Sequence, residues 1–326
     1  MAIGKASDFV IYNEEFYGGM VEKLTQNADA FNAAGAGAIQ LTPTRSKGHY
    51  KKESFIKEIG SLITRRDITS VAAATDLAIT MGEDVSVKIN RKIGPVAQTL
   101  DSWRKLGVDN SQLSFVLGQQ VGQAVAVDYI NTCLAALVSA LNATAAVKFD
   151  HSAETPTTLT HTALVDGMAK FGDAAGNLVA WVMHSKPYFD LMKQSIADKI
   201  FEVAGVTIYQ GTVASFGRPT IVLDSPSLTA TAPTPDDFYI LGLVRGAATA
   251  EESEEREVVS DVITGLENLV GRVQGEYAFN LGLKGFTWDT TSGGIAPTDA
   301  ALATAANWDQ VATSFKNLPG VIIVSK

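Results

Sequence analysis

The sequence predicts a mixed α+β fold, and three segments carry this prediction. Between residues 111 and 142, apolar side chains recur at steps of three or four, the spacing of one helix face. Helical and β-like segments alternate from 163 to 223, and residues 269–288 are rich in strand-forming side chains. At 326 residues, the chain is expected to form about two domains, or one elongated domain with arms.

The composition is that of a soluble globular chain. Its 46% apolar and 19% charged residues are close to the average, so a sizeable core can form. A net charge of -9 argues against a dedicated nucleic-acid reader, because phosphate contacts require clustered Lys and Arg. The single cysteine, Cys133, excludes an intramolecular disulfide and a multi-cysteine zinc site. With no secretory or membrane-span pattern, we expect a soluble product made in the cytoplasm.

The sequence of the N-terminal part predicts an arm followed by an extended excursion. Residues 1–45 combine aromatic side chains with a glycine-alanine segment, a mixture that indicates an arm ordered by a neighbour. Residues 46–98 contain β-branched patches interrupted by glycine and proline, which favour two long strands or a strand and a helix. Twelve Lys or Arg stand against seven Asp or Glu between Arg45 and Lys105. This basic limb is either a contact surface or simply a solvated face.

A long helix follows. Asp109, three residues before Gln112, matches a capping box, so the helix is expected to begin here. At 1.5 Å per residue it would be about 48 Å long and could act as the spine of the molecule. Its predicted core-facing stripe comprises Leu113, Leu117, Val121, Ala124, Val127, Ile130, Leu134, Leu137 and Leu141.

The sequence of the second half of the chain predicts a compact α/β unit followed by a strand-rich segment, the return. The expected elements are a helix at 163–171, a buried strand at 178–183, a helix from Ser185 to about Ala197, and strands at 203–209, 220–223 and 238–241. The acidic run 251–255 predicts a solvated edge or loop. In the return at 269–288, burial is expected to alternate with a phase slip at Gly285.

A search for catalytic motifs is nearly empty. The chain has neither a P-loop nor a Gly-x-Ser-x-Gly elbow, and its four histidines lack metalloprotease spacing. His184 ends a buried strand before a helix, where α/β enzymes place catalytic groups, but a structural strand-end histidine is the commoner outcome. We therefore predict no catalytic, cofactor-binding or metal-binding residues. A cytoplasmic α/β enzyme using a crevice near His184 and Asp224 is the less favoured alternative.

The order of these parts resembles the major capsid protein of tailed bacteriophages, the Hong Kong 97 type capsid fold. The resemblance covers nearly the whole chain and depends on an ordered set of segments. These are residues 49–55 with 65–67, 118–122, 182–188 and 217–222.

The resemblance implies a division of the chain into five parts. They are an N-terminal arm at 1–45, an extended loop at 46–98 that lies over a neighbouring subunit, a peripheral domain at 99–177 with the spine helix at 111–142, an axial domain at 178–255, and a return to the peripheral domain with a C-terminal tail at 256–326.

The implied function is structural and not enzymatic. The chain would be a subunit of an icosahedral virion capsid, assembling in the host cytoplasm into pentamers and hexamers that enclose double-stranded DNA. Its expected partners are copies of itself, portal and scaffolding proteins, packaged DNA through non-specific contact, and decoration proteins; no membrane and no cofactor are expected. An encapsulin-like nanocompartment shell shares the fold and stays open as an alternative.

Complementary basic and acidic patches could set the register between subunits, because tiling a closed shell requires repeated heterologous contacts. The candidate inter-subunit contact residues are Lys51, Lys52, Arg65, Arg66, Lys88, Arg91, Lys92, Glu251, Glu252, Glu254 and Glu255.

Overall fold

The structure is a computed structural model. It describes residues 16, 18–24, 26, 29, 32–33, 35–42, 48–57, 59, 62–73, 76–99, 101, 110–202, 217–230 and 237–326; the side chains of 98, 110–114, 195–202, 254–256 and 260 are not described.

The described part contains strands and helices with the following limits. The strands are β1 (Ile39–Thr42), β2 (Tyr50–Ile56), β3 (Met81–Thr99), β4 (Lys148–Asp150), β5 (Leu178–Met183), β6 (Thr220–Val222), β7 (Phe238–Val244), β8 (Ala248–Ile263), β9 (Val270–Leu283), β10 (Phe286–Trp288), β11 (Trp308–Gln310) and β12 (Gly320–Ser325). The α-helices are α1 (Asn110–Ala143), α2 (His161–Ala169), α3 (Ser185–Glu202) and α4 (Asp299–Leu302).

Seven strands form a sheet with two long projections. Its order is β1-β8-β9-β10-β11, with β3 also paired to β9 and β2 paired to β3. The first projection is the antiparallel hairpin β2–β3, whose residues 57–80 we call the hairpin tip. The second is the antiparallel pair β8–β9, which we call the ribbon, with its tip at 264–269. The predicted two-stranded excursion is therefore present.

The second sheet has five strands in the order β4-β12-β7-β5-β6. Its α/β alternation is as predicted: β5 has the expected limits, α3 begins at Ser185, and α2 begins after Thr160, whose side chain accepts the Ala163 N–H as an N-cap. The strand predicted at 203–209 lies outside the described residues.

The spine helix is confirmed as α1, which runs from Asn110 to Ala143. Its second half lies in the main core, with Cys133 and Leu137 fully buried. In its first half the predicted stripe is wrong at Ala124 and Val127, which are exposed, because the neighbouring Val125 and Ala126 face the core. Residues Phe115–Ala143 are long and apolar enough to cross a membrane, but 61% of the most apolar window is buried within the chain. This pattern is that of a core helix.

The described arm residues pack on the first half of α1. Residues 18–24 are helical, and Met20 is fully buried. A Cβ atom on Gly122 would lie 2.7 Å from the Met20 carbonyl oxygen, and one on Gly118 would meet the Phe16 carbonyl. Glycine is therefore required where the two backbones meet. These residues pack on their own spine helix, and ordering of the arm by a neighbour stays a prediction.

Two other expectations differ from the structure. The acidic run 251–255 lies inside β8, so it is not a loop. Gly285, with φ of 76°, occupies a tight turn between β9 and β10 rather than a phase slip within one strand. The C-terminal β12 pairs with β7 and β4 in the five-stranded sheet.

Candidate inter-subunit surfaces

The hairpin tip is an exposed surface that carries aliphatic and charged side chains. Every residue described between 62 and 80 is exposed, and Ile63, Ile68 and Val71 retain 96%, 85% and 103% of their accessible surface. The predicted contact residues Arg65 and Arg66 lie among these aliphatic side chains and are exposed as well. Several large aliphatic side chains exposed in one segment are more than the scattered surface residues of a single soluble chain, and they favour cover by another molecule.

At the base of the hairpin, the basic and acidic patches meet within one chain. The Lys51 Nζ lies 3.0 and 2.9 Å from the two carboxylate oxygens of Glu251 and 3.1 Å from the Glu53 carboxylate. The hydrogen bond to Glu251 raises the pKa of Lys51. Lys52 is exposed, 3.5 Å from Glu83. The Lys51–Glu251 pair thus fixes the hairpin to the ribbon of the same molecule.

Asp84 is a partly buried acid beside this cluster. It lies directly opposite Glu53 in the β2–β3 ladder, at a cavity of about 270 Å³ that Lys51, Glu53 and Glu251 also line. Its Oδ1 is buried and has no hydrogen-bond partner among the described residues. Burial, reinforced by the Glu53 charge, raises the pKa of Asp84 to about 6. Ionised Asp84 therefore destabilises this part of the sheet.

Arg91 makes a polar network within the chain. Its Nε lies 3.1 Å from Asp128 Oδ2, and its Nη2 donates to Thr132 Oγ1 at 3.1 Å and to Asp299 Oδ1 at 2.6 Å. The Tyr277 hydroxyl donates to the same Asp128 oxygen at 2.7 Å. Burial, together with the Asp128 charge, raises the pKa of Tyr277 above its usual range. The guanidinium thus connects β3 with the spine helix and α4, and Asp128 extends the network to β9.

The other predicted contact residues lie in varied surroundings. Lys88 is buried, with 5% of its surface accessible, whereas Lys92 is exposed. Glu252 is half-buried, and the side chains of Glu254 and Glu255 lie outside the described ones. A role in contacts between subunits stays a prediction for all of the candidate residues.

One acidic groove was missed by the sequence prediction. It lies on the ribbon, has a volume of about 490 Å³, and is lined by Glu257, Val259, Asp261, Ile263, Arg272, Gln274, Gly275 and Glu276. Glu257 lies directly opposite Glu276, and Asp261 lies opposite Arg272. Val259 is 56% exposed. The signal was present in the period-2 spacing of Glu257, Val259 and Asp261, which places these side chains on one face of a strand.

The geometry near His184 is that of a helix start. The Asp224 Oδ1 accepts the backbone N–H of Ser185 at 3.1 Å and lies 3.4 Å from His184 Nε2. A hydrogen bond from the Ser185 hydroxyl holds the pKa of Asp224 below its usual range. The Ser185 hydroxyl also lies 3.4 Å from His184 Nδ1, but that nitrogen lies 3.3 Å from the backbone N–H of Lys186, so the three side chains cap the start of α3.

The described residues also offer no evident metal site or reactive thiol. Among them, no group of three or more His, Cys, Asp or Glu side chains could hold a metal ion. Burial raises the pKa of Cys133 to about 12, which suppresses the thiolate.

Comparisons with known proteins connect this fold to phage capsids. Similar solved structures include the capsid of Ralstonia phage GP4 (10% identity, TM-score 0.53, 88% of this chain and 87% of that chain). They also include Mycobacterium phage Bobi (12%, 0.51, 88% and 88%) and Mycobacterium phage Adephagia (10%, 0.51, 90% and 89%). At these identities the likeness shows the fold alone, and it confirms the predicted fold class.

A search among curated proteins finds no match. The model of a family described as major capsid protein 13-like matches residues 8–322. This match spans nearly the whole chain and confirms the prediction of a structural capsid protein and not an enzyme. The chain belongs to the major capsid protein 13-like family.

Proposed function

We propose that copies of this chain assemble into pentamers and hexamers of a closed icosahedral shell that encloses double-stranded DNA. The observation that carries the proposal is the projecting hairpin, whose tip leaves Ile63, Ile68 and Val71 almost completely exposed in the single chain. Exposed aliphatic side chains at the end of a long projection favour burial on another molecule. In the shell, the extended loop 46–98 lies over a neighbouring subunit.

The charge of the chain is compatible with a container for DNA. With 35 acidic and 26 basic residues, the wall would bind phosphate only weakly, whereas a strongly basic wall would hold DNA by counterion release. Contact with packaged DNA is therefore non-specific. Synthesis in the host cytoplasm, with portal, scaffolding and decoration proteins as partners, belongs to the same proposal.

Electron microscopy and light scattering of the purified chain test the shell directly. We expect particles of several hundred ångströms or ring-shaped capsomers. A chain that stays monomeric or dimeric under all conditions would contradict the proposal.

A variant isolates the contribution of the hairpin tip. Ile63→Ser with Ile68→Ser should leave the unassembled chain folded, because both residues are exposed, but should lower the yield of particles. The matched control is Val165→Ser on α2, since Val165 is also exposed, at 47%. Equal particle yields from both variants would show that the hairpin tip does not contribute to assembly.

An encapsulin-like shell is the less supported alternative, because the matching family is one of capsid proteins. Portal and terminase genes beside the gene for this chain would support the virus. A neighbouring cargo enzyme would support the nanocompartment.

A further inference from the structure

We propose that Asn32 guards the free edge of β1 and keeps it from pairing with the same edge of a second copy. Loss of this guard should produce a two-fold dimer that is joined strand to strand. The inference goes beyond the proposed function and does not depend on it, because it concerns the unassembled chain.

β1 lies at one end of the seven-stranded sheet, where β8 is its neighbour. The Ala38 carbonyl accepts the Ala247 N–H at 2.8 Å, so this residue faces the β8 side just before β1 begins. Backbone groups alternate between the two sides of a strand. The N–H and C=O groups of Ile39 and Leu41 therefore point to the side away from β8, which is a free edge among the described strands.

The Asn32 side chain occupies this edge at Leu41. Its Nδ2 donates to the Leu41 carbonyl at 3.1 Å, and its Oδ1 accepts the Leu41 N–H at 3.1 Å. One side-chain amide thus makes the two hydrogen bonds that an adjacent strand would make with this residue. Leu41 is buried, so its backbone groups require such partners.

A turn between Asn32 and β1 holds the side chain in position. The Asn32 carbonyl accepts the Gly37 N–H at 3.0 Å, and the Gly35 carbonyl accepts the Ala38 N–H at 3.0 Å. Within the turn, Ala36 has a φ of 51°, in the left-handed region that is costly for a residue with a Cβ atom. Such a conformation persists only where surrounding contacts determine it. The pair of hydrogen bonds from Asn32 to Leu41 is one contact that does so.

β1 depends on a guard because its own side chains offer no protection. Its residues Ile39–Thr42 include no charged side chain, and charge is a common protection of a free edge. At the opposite end of the sheet β11 carries Asp309, and the outer hairpin strand β2 carries Lys51, Lys52 and Glu53. The edge of β1 has no comparable charge to repel a second copy.

The partner that fits this edge is a second β1. Antiparallel pairing about a two-fold axis would set Gln40 opposite Gln40 of the second copy, and Ile39 opposite Leu41. The backbone groups of Ile39 and Leu41 that face the free edge would then bond across the pair. Because each copy contributes the same edge, the contact closes as a dimer and does not propagate.

Asn32→Ala tests the guard in the unassembled chain. At low protein concentration the Leu41 amide should exchange its hydrogen at least about tenfold faster than in the wild type, because its acceptor is gone. In sedimentation velocity at higher concentration, the dimer fraction should exceed that of the wild type at least about fivefold, because the edge is open. The matched control is Gln26→Ala, which removes an exposed amide that bonds Glu22 at 3.3 Å; it should leave both measurements unchanged.

A second variant identifies the pairing surface. Gln40→Lys added to Asn32→Ala would place two ammonium groups opposite each other on the two-fold axis, and like charges there are destabilising. This variant should be monomeric, while its Leu41 amide still exchanges rapidly. The melting temperature and unchanged exchange of the Leu137 amide, in the buried half of α1, establish that each variant is folded.

Three results would overturn the inference. Wild-type exchange at Leu41 in Asn32→Ala would show that Asn32 does not close the edge. Rapid exchange without a dimer would show that the open edge has no partner in a second copy. A dimer that persists with Gln40→Lys would show that it forms through another surface. All three are independent of whether the wild-type chain forms a shell.

Discussion

Replacing Asp84 by asparagine should stabilise the chain at neutral pH and leave its stability unchanged in acid. The carboxyl is partly buried opposite Glu53, and its pKa is raised from 3.8 to about 6. Between these two values the folded chain retains a proton that the unfolded chain has released. Stability therefore falls as the pH rises from 3.8 to about 6 and changes little above that range.

The magnitude follows from the same two values. The difference between 3.8 and about 6 corresponds to about 3 kcal/mol at 1.36 kcal/mol for each pKa unit. Because Asp84 is only partly buried, solvent screening reduces the expected effect to about 1 kcal/mol. Asp84→Asn should therefore raise the free energy of unfolding by about 1 kcal/mol above neutral pH, where the wild-type carboxylate is ionised.

Urea unfolding of the unassembled chain, followed by the fluorescence of its four tryptophans, measures the difference across the pH range. Glu83→Gln is the control, since Glu83 is the next residue but is exposed, and it should have little effect. The reasoning fails if Asp84→Asn and the wild type differ by the same amount in acid and above neutral pH. It also fails if the variant is less stable than the wild type at neutral pH.

Two further substitutions test the interior. Gly122→Ala should destabilise the chain by about 2 kcal/mol because the new Cβ would lie 2.7 Å from a backbone oxygen of the arm. Thermal unfolding measures the effect, and Gly176→Ala is the control because open space surrounds its Cβ position. Equal melting temperatures of the two variants would contradict the close approach of the two backbones. Arg91→Met should lower the free energy of unfolding in urea by about 3 kcal/mol because Asp128 loses its guanidinium partner. The control is Lys92→Met, which should be nearly neutral because Lys92 is exposed. Equal losses in the two variants would show that the Arg91 network does not stabilise the fold.

Local pattern was sufficient to predict the spine helix and the buried strand β5. The spine helix is defined by the recurrence of apolar residues, and β5 is an uninterrupted apolar run that is almost wholly buried. Both signals depend only on residues that are close in the sequence. The exposure of Ala124 and Val127 could not be predicted in this way, because the orientation of the first half of α1 depends on what packs against it.

Non-local pairing explains what was missed. Glutamate is depleted in strands, so the run 251–255 favoured a loop. Pairing with β9 overrides this preference, and the Glu251 carboxylate is neutralised by Lys51, which is 200 residues away in the sequence. The groove likewise depends on the register that places Glu257 opposite Glu276. No spacing within either strand specifies that register, so the sequence alone could name the acidic residues but not the surface they form.

Charge on β8 disfavours uncontrolled pairing of this strand with a second copy. Among the described strands, β1 pairs with β8 only as far as Glu251, and beyond that point β8 carries the exposed acids Glu257 and Asp261. An uncharged edge would invite the same edge of a second copy, as in uncontrolled strand pairing. Two such acidic edges repel each other, so a two-fold contact through this part of β8 is disfavoured.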